Sequence, residues 1–201
     1  MKRAILTVKE TKKDNNAGPK AKLDIEKFLV NNEFVKWNFT IEQKSILQKF
    51  KVAYLDIPSF FSHDQNKKID EIFLQYPTYS KIVTKQLIKN LRKLHSKVFI
   101  IVHDVESLRL HYGEKNYIHE ELDMLNLVDG LIVHNDEMAK WLKDNGINVP
   151  MESLEIFDYD NPNPLVDNDE YNKSVCFAGN LNKAGFLQSL SLKEAFLNIF
   201  G

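Results

Sequence analysis

Short apolar runs of strand length alternate with segments of helical periodicity along most of this chain, and that alternation constrains the fold more than any other feature. The strand-like runs are Ala4–Val8, Phe34–Phe39, Val52–Ile57, Val98–Val102, Gly130–His134 and Leu154–Phe157. The helical segments are residues 20–29, 41–50, 78–94, 116–127 and 136–145, whereas residues 59–79 show no clear period and predict a loop or short helix. This order is typical of stacked strand–helix–strand units. It predicts an α/β domain whose parallel sheet carries helices on both faces.

The apolar pattern stops after Phe157, which indicates a domain boundary. Residues 158–172 are rich in proline, asparagine and acidic side chains, as linkers are. A new strand-like run follows at Ser174–Ala178, then helical spacing over 187–197 and a last strand-like run at 196–200. The predicted organisation is a Rossmann-like domain at 1–159, a linker at 160–172 and the start of a second Rossmann-like domain at 173–201. Because so short a tail cannot bury both faces of a sheet, we expect either that the second domain is truncated or that the tail packs on the first.

Composition disfavours several classes of function. The 201 residues include 27 lysines and arginines against 28 aspartates and glutamates, so a net charge of -1 gives no basic field to hold nucleic acid. The single cysteine, Cys176, cannot close an intrachain disulfide, and the start of the chain has too short an apolar run for a signal peptide. We therefore expect a cytoplasmic protein. No apolar run approaches the roughly 20 residues that cross a bilayer, so membrane contact should be peripheral at most.

A polar cluster follows the most apolar strand-like run and is the strongest local signal for chemistry. It contains His103, Asp104, Glu106 and Arg109 within seven residues. Ligands of open parallel sheets bind beyond the carboxyl ends of the strands. These residue types offer a general base, two carboxylates and a cation for a diphosphate or carboxylate. The alternative is structural: Asp104 caps a short helix and Glu106 pairs with Arg109 three residues on.

Two turns rich in small and polar residues are candidate substrate-binding segments. The first contains Asn16, Gly18 and Lys20 and opens a predicted helix, whose free N–H groups favour a phosphate or sugar hydroxyl. The second follows the strand-like run at 174–178 and contains Asn180 and Lys183. The alternative for each is an ordinary turn, because asparagine and glycine are common in any loop.

The six histidines do not form a recognisable metal motif. His103, His111 and His119 recur every eight residues, and His134 ends a predicted strand, but none fits a compact ligand spacing. We therefore predict no metal site and rank a metal-dependent hydrolase using His103 and Asp104 last. His134 is better placed, at a strand end, and the alternative there is that Asn135 or Asp136 caps the next helix.

Three of these segments together resemble a known family. They are the turn Asn16-Ala17-Gly18 with Lys20 and Asp24, the run His103–Arg109, and Phe177–Leu181 with Lys183 and Phe186. In them the chain resembles bacterial glucosyltransferases that extend glycans on serine-rich adhesins, and the β-1,6-galactofuranosyltransferases of polysaccharide synthesis. The resemblance runs along nearly the whole chain.

The resemblance implies a GT-B architecture, in which two Rossmann-like domains face each other and no metal is needed. It places Asn16 and Gly18 near a nucleotide-sugar donor, the His103–Arg109 run on the acceptor side, and Asn180 and Lys183 against the nucleotide. UDP-glucose or a galactose donor would be the substrate, with no cofactor. Family members continue well beyond the residues present here, so we expect a truncated donor-binding domain.

We therefore predict a hexosyltransferase that uses a UDP-sugar and acts on a glycan or glycoprotein. The alternative is a non-catalytic scaffold module that assembles with a complete transferase or with copies of itself. Aromatic residues that would suit such an interface are Phe60, Phe61, Phe186, Phe196 and Phe200, although core packing is the more usual role of such side chains.

Overall fold

The computed structural model describes residues 1–10, 18–41, 45–64, 69–78, 80–111, 113–155, 173–179, 181 and 184–200. By its internal contacts the chain divides into two compact units, Met1–Asp160 and Asn161–Gly201. The first contains a six-stranded sheet and the second a two-stranded sheet. No helix within the described ranges is both long and apolar enough to cross a membrane.

The larger sheet is entirely parallel. Its strands are β1 (Arg3–Glu10), β2 (Val35–Ile41), β3 (Glu71–Tyr76), β4 (Lys97–Val102), β5 (Gly130–Val133) and β6 (Met151–Ser153). They lie in the order β2-β1-β3-β4-β5-β6, and every neighbouring pair is parallel. After β1 the chain adds β2 on one side of it, and then β3 and the later strands on the other side. Open α/β sheets form a ligand crevice at this switch point, between β1 and β3. The predicted α/β, Rossmann-like fold is confirmed.

Helices cover both faces of this sheet. They are α1 (Gly18–Asn31), α2 (Ile46–Lys51), α3 (Ile57–Asp64), α4 (Lys81–Arg92), α5 (Glu106–Arg109), α6 (Lys115–Leu125) and α7 (Asp136–Asp144), with a π-helical turn at Val52–Asp56 joining α2 to α3. Helices α3, α4, α6 and α7 enclose the main core with the alternate strand residues that include Leu74 and Tyr76. Helix α1 lies on the opposite face, because its backbone contacts Gln75, which alternates with those two residues.

The predicted strand at Val52–Ile57 is wrong, because these residues form the π-helical turn and the start of α3. A short apolar run reads equally well as a strand or a buried helix. The buried side chains are Val52, Ala53 and Ile57, and the exposed ones are Tyr54 and Leu55. That spacing buries one side of a helix rather than alternate residues of a strand.

The third strand instead lies at Glu71–Tyr76, within the stretch predicted as loop or short helix. Its alternate residues Ile72, Leu74 and Tyr76 are completely buried in the core. The strand is central, between β1 and β4, yet its polar residues Glu71 and Gln75 interrupt the apolar pattern from which it would have been predicted.

Two other boundaries differ from the predictions. The helix predicted from Ile41 begins at Ile46, because Ile41 is the last residue of β2, where it pairs with Glu10 and is buried. The last strand of the sheet is Met151–Ser153 rather than 154–157: its pairing with β5 ends at Ser153, and Leu154 is 43% exposed.

The second unit contains β7 (Ser174–Ala178) and β8 (Phe196–Phe200), which pair in parallel. Both strands were predicted. The helix predicted over 187–197 is wrong, because the chain forms a 3-10 turn at Gly185–Gln188 and then enters β8. The predicted linker at 160–172 lies outside the described residues, and the assignment of 173–201 to a second Rossmann-like domain stays a prediction.

Candidate functional site

Polar side chains gather where β3 and β4 end, beside the first turns of α1. His103 directly follows β4, and its backbone N–H donates to the carbonyl of Tyr76, the last residue of β3. Gln75 precedes that tyrosine, and Lys22 lies in α1. These residues lie at the carboxyl edge of the sheet, near the switch point between β1 and β3, as expected for a ligand crevice.

A chain of hydrogen bonds links α1 to both strand ends. His103 Nε2 lies 2.8 Å from Gln75 Oε1, and Gln75 Nε2 donates to the Lys22 carbonyl at 3.0 Å. The Lys22 ammonium donates in turn to the carbonyl of Pro77. The ring of His134, which follows β5, lies 5.9 Å from the His103 ring between centroids. The His103 side chain is therefore held by groups from several elements.

Burial sets the protonation state of this cluster. Burial, together with the positive charge of Lys22 and the neighbouring His134, lowers the pKa of His103 to about 3. Burial also lowers the pKa of Lys22 to about 8, opposed by the charges of Glu106 and Asp104. At neutral pH the site thus combines a neutral imidazole with a mostly protonated lysine.

The remaining residues of the predicted cluster form an ion pair across α5. Arg109 Nε lies 2.9 Å from Asp104 Oδ2, and the two side chains are 50% and 36% exposed. The structural alternative is wrong in both parts: Arg109 pairs with Asp104 rather than Glu106, and the residue at the cap of α5 is Val105, which makes no side-chain capping bond. Three of the predicted residues, His103, Asp104 and Arg109, thus lie at one strand end.

The N-terminus of α5 is bound instead by Glu121 of α6, which is completely buried. Glu121 Oε1 accepts from the Tyr76 hydroxyl at 2.6 Å and from the Glu106 N–H at 2.8 Å, and Oε2 accepts from the Ser107 N–H at 2.8 Å. The first N–H groups of a helix have no partner within it, and its dipole favours an anion there. The sequence analysis did not identify Glu121. The available signal was its position beside Leu122, inside the apolar stripe of the predicted helix, which indicates a buried carboxylate.

Glu106 is oriented by two tyrosine hydroxyls. Its Oε2 accepts from Tyr117 at 3.2 Å and from Tyr76 at 3.3 Å. Burial raises the pKa of both tyrosines, and the neighbouring carboxylates raise it further, so both hydroxyls remain donors. The Tyr117 ring stacks on the His111 ring with 3.7 Å between their centroids. The Lys81 ammonium lies over the Tyr117 ring, 3.3 Å from its centroid. These contacts fix the Glu106 carboxylate beside the cluster.

The two predicted substrate-binding turns are only partly described. Gly18 is the first residue of α1, and Lys20 forms an ion pair with Asp24 at 2.6 Å. Asn16, Asn180 and Lys183 lie outside the described residues. Their roles therefore stay predictions.

The three histidines spaced eight residues apart, His103, His111 and His119, do not form a common site. His111 pairs with Glu114 at 3.1 Å, and His119 is exposed on α6. Within the part of the chain that the structure describes, no three histidine, cysteine, aspartate or glutamate side chains are grouped to hold a metal ion. Of the two predicted cap residues, Asn135 is the one that caps α7: its side chain accepts from the Met138 N–H at 2.8 Å.

Comparison with known families identifies this domain. Residues 3–156 match the family model described as "Glucosyltransferase 3-like, N-terminal domain". Because the match spans more than half of the chain, the chain belongs to this family, and its membership supports a glycosyltransferase. No curated protein matches the chain. The likeness to glucosyltransferases is confirmed, whereas the adhesin, galactofuranose and GT-B particulars stay predictions.

Replacing Glu121 by glutamine should destabilise the protein. An amide offers one oxygen where the carboxylate offers two, so at least one of the three donors would face an NH₂ group. We expect Glu121→Gln to lower the free energy of unfolding by about 1–3 kcal/mol in urea titrations. The control is Glu120→Gln, one residue away, where a 69% exposed side chain pairs with Lys81 and the midpoint should barely move. Equal effects of the two substitutions would contradict the network.

Acid sensitivity should depend on His103. Because its folded pKa of about 3 lies below the ordinary 6.5, the unfolded chain binds more protons between these values. Stability should therefore fall as pH drops below about 6.5, by up to about 1.4 kcal/mol per pH unit for this group. His103→Gln should flatten that part of the profile, and His119→Gln should not. Parallel profiles for wild type and His103→Gln would refute the assignment.

Proposed function

We propose that this chain supplies the acceptor side of a hexosyl transfer site, which moves a sugar from UDP-glucose or UDP-galactose to a hydroxyl of a glycan or glycosylated protein. The observation that carries the proposal is the cluster of His103, Asp104, Arg109 and Lys22. It lies at the carboxyl edge of the sheet in a domain of a glucosyltransferase family. This is where an open α/β sheet binds ligands.

Hexosyl transfer needs a proton acceptor for the attacking hydroxyl and positive charge for the leaving diphosphate. Neutral His103 is the proton acceptor in this proposal, and Arg109, oriented by Asp104, supplies charge together with Lys22. The low pKa of His103 makes it a weak base in the absence of donor. A bound diphosphate brings negative charge to this edge of the sheet, which raises the pKa of a nearby imidazole. Donor binding would thereby make His103 more basic.

The other predicted site residues complete the proposal. Glu106, held by two tyrosine hydroxyls, accepts hydrogen bonds from hydroxyls of the acceptor sugar. Asn16 and Gly18 contact the donor, and Asn180 and Lys183 contact its nucleotide, as the resemblance implies. The UDP-sugar is a substrate, and the reaction uses no further cofactor and no metal. We place it in the cytoplasm.

Activity should depend on His103. His103→Gln should lower kcat for transfer of labelled hexose about 100-fold or more, the usual contribution of a positioned general base. His119→Gln, on the exposed side of α6, should retain wild-type kcat. The assay uses the 201-residue chain and, if its reading frame continues past Gly201, the longer protein. A longer protein inert toward every UDP-hexose, or a fully active His103→Gln, would refute the proposal.

One surface favours the alternative function of a non-catalytic module bound to a complete transferase. Helix α2 and the π-helical turn present an apolar patch of Ile46, Leu47, Phe50, Tyr54 and Leu55, each 46–77% exposed. The rings of Phe50 and Tyr54 stack at 6.0 Å. A helix that also carries apolar residues on its outward-facing side is normally covered by another part of the protein or by a partner.

The predicted interface residues Phe60 and Phe61 do not belong to this patch. Phe61 is buried against Trp37, and Phe60 packs on Phe39.

The apolar patch can be tested by association. If it binds a partner subunit, sedimentation velocity should show the chain in a larger species with a complete transferase, and Leu47→Ser with Phe50→Ser should release it. Leu190→Ser, at another exposed leucine, is the control. A chain that sediments as a monomer with and without the transferase would exclude the scaffold function.

A further inference from the structure

Gln75 is an amide placed between two fixed partners. It lies one residue before the end of β3, in register with Ile101 of β4, and is 5% exposed. Its Nε2 donates to the Lys22 carbonyl at 3.0 Å, and its Oε1 lies 2.8 Å from His103 Nε2. Because the Gln75 side chain is buried and both bonds are partly buried, water has limited access to either one.

The chemistry of the partners fixes which atoms carry protons. A backbone carbonyl only accepts, so the Gln75 NH₂ group must face Lys22, and the amide oxygen must face His103. An amide oxygen also only accepts, so His103 Nε2 must be the donor. A neutral imidazole carries one N–H, which leaves Nδ1 as its unprotonated nitrogen.

We propose that Gln75 is a positioning residue that holds His103 in the tautomer protonated at Nε2, so that Nδ1 is the atom that accepts the proton of the attacking hydroxyl. The catalytic part of this inference rests on the proposed function; the tautomer does not. Reversing the amide would bring its oxygen against the Lys22 carbonyl and its NH₂ group against His103, at the cost of the bond to α1.

A glutamine suits this position better than a carboxylate would. In serine hydrolases an aspartate both orients the histidine and stabilises its cation. Among the described residues, the charges of Lys22 from α1 and His134 after β5 act on His103, and both disfavour a positive charge on it. An amide orients the imidazole without adding a negative charge, so His103 stays neutral until a substrate supplies one.

The tautomer can be measured directly by ¹⁵N nuclear magnetic resonance of the imidazole nitrogens in the full chain at neutral pH. The His103 signals are assigned by their loss in His103→Gln. We expect wild-type His103 to be protonated at Nε2, Gln75→Leu to give a mixture of tautomers or the Nδ1–H form, and Gln75→Glu to restore the Nε2–H form with a raised titration midpoint. Gln86→Leu, on α4 across the sheet, should leave the wild-type pattern unchanged.

Two outcomes would overturn the inference: a wild-type His103 protonated at Nδ1, or a Gln75→Leu spectrum identical to wild type. The first needs no variant, so it holds even if Gln75→Leu fails to fold. In transfer assays Gln75→Leu should lower kcat about tenfold or more with little change in KM. Absence of transfer in a wild type that shows the Nε2–H tautomer would count against the proposed function alone.

Discussion

The buried carboxylate of Glu121 joins the segments that form the candidate site. It accepts hydrogen bonds from the Tyr76 hydroxyl, at the end of β3, and from the N–H groups of Glu106 and Ser107, at the start of α5. Burying a charge is costly unless it is paired or fully hydrogen-bonded, and here three donors and a helix N-terminus compensate. The turn that carries His103 and Asp104 spans the short distance between β4 and these bound amides. Its conformation therefore depends on a side chain from α6.

The alternation of side chains along β3 explains how the site draws on both faces of the sheet. Tyr76 points into the main core, where it meets Glu121, and Gln75 points to the opposite face, where it meets Lys22 and His103. Two consecutive residues thus tie α6 on one face and α1 on the other to the same strand end. A parallel sheet brings the carboxyl ends of β3 and β4 to one edge, so one pair of residues can serve both faces.

The sequence contained enough information for the fold class but not for every element. Alternating strand and helix patterns predicted the parallel sheet, and the stripe Val83, Leu87 and Leu91 predicted α4, because a buried face repeats at the period of its element. Strand β3 was missed because Glu71 and Gln75 interrupt its apolar pattern. Residues 52–57 were assigned to a strand because a short apolar run carries too few residues to reveal its period.

The candidate site was predictable where its residues are close in sequence and not where their partners are distant. His103, Asp104 and Arg109 lie in one polar run after a buried strand, and that position is a local signal. Glu121 and Gln75 act through partners 45 and 28 residues away in sequence, Tyr76 and His103. The position of Glu121 inside the apolar stripe of α6 indicates burial, but it does not indicate which donors the carboxylate binds. Those donors become evident only when the packing of α6 on β3 and β4 is known.

The measurement that tests this account most directly is amide hydrogen exchange at Glu106 and Ser107. The first amides of a four-residue helix are ordinarily open to solvent and exchange quickly. If Glu121 holds them as described, both should be protected to a degree comparable with the amides of β4, although α5 itself is short. Exchange at the rate of an exposed loop would show that Glu121 does not bind these amides and does not organise this edge of the sheet.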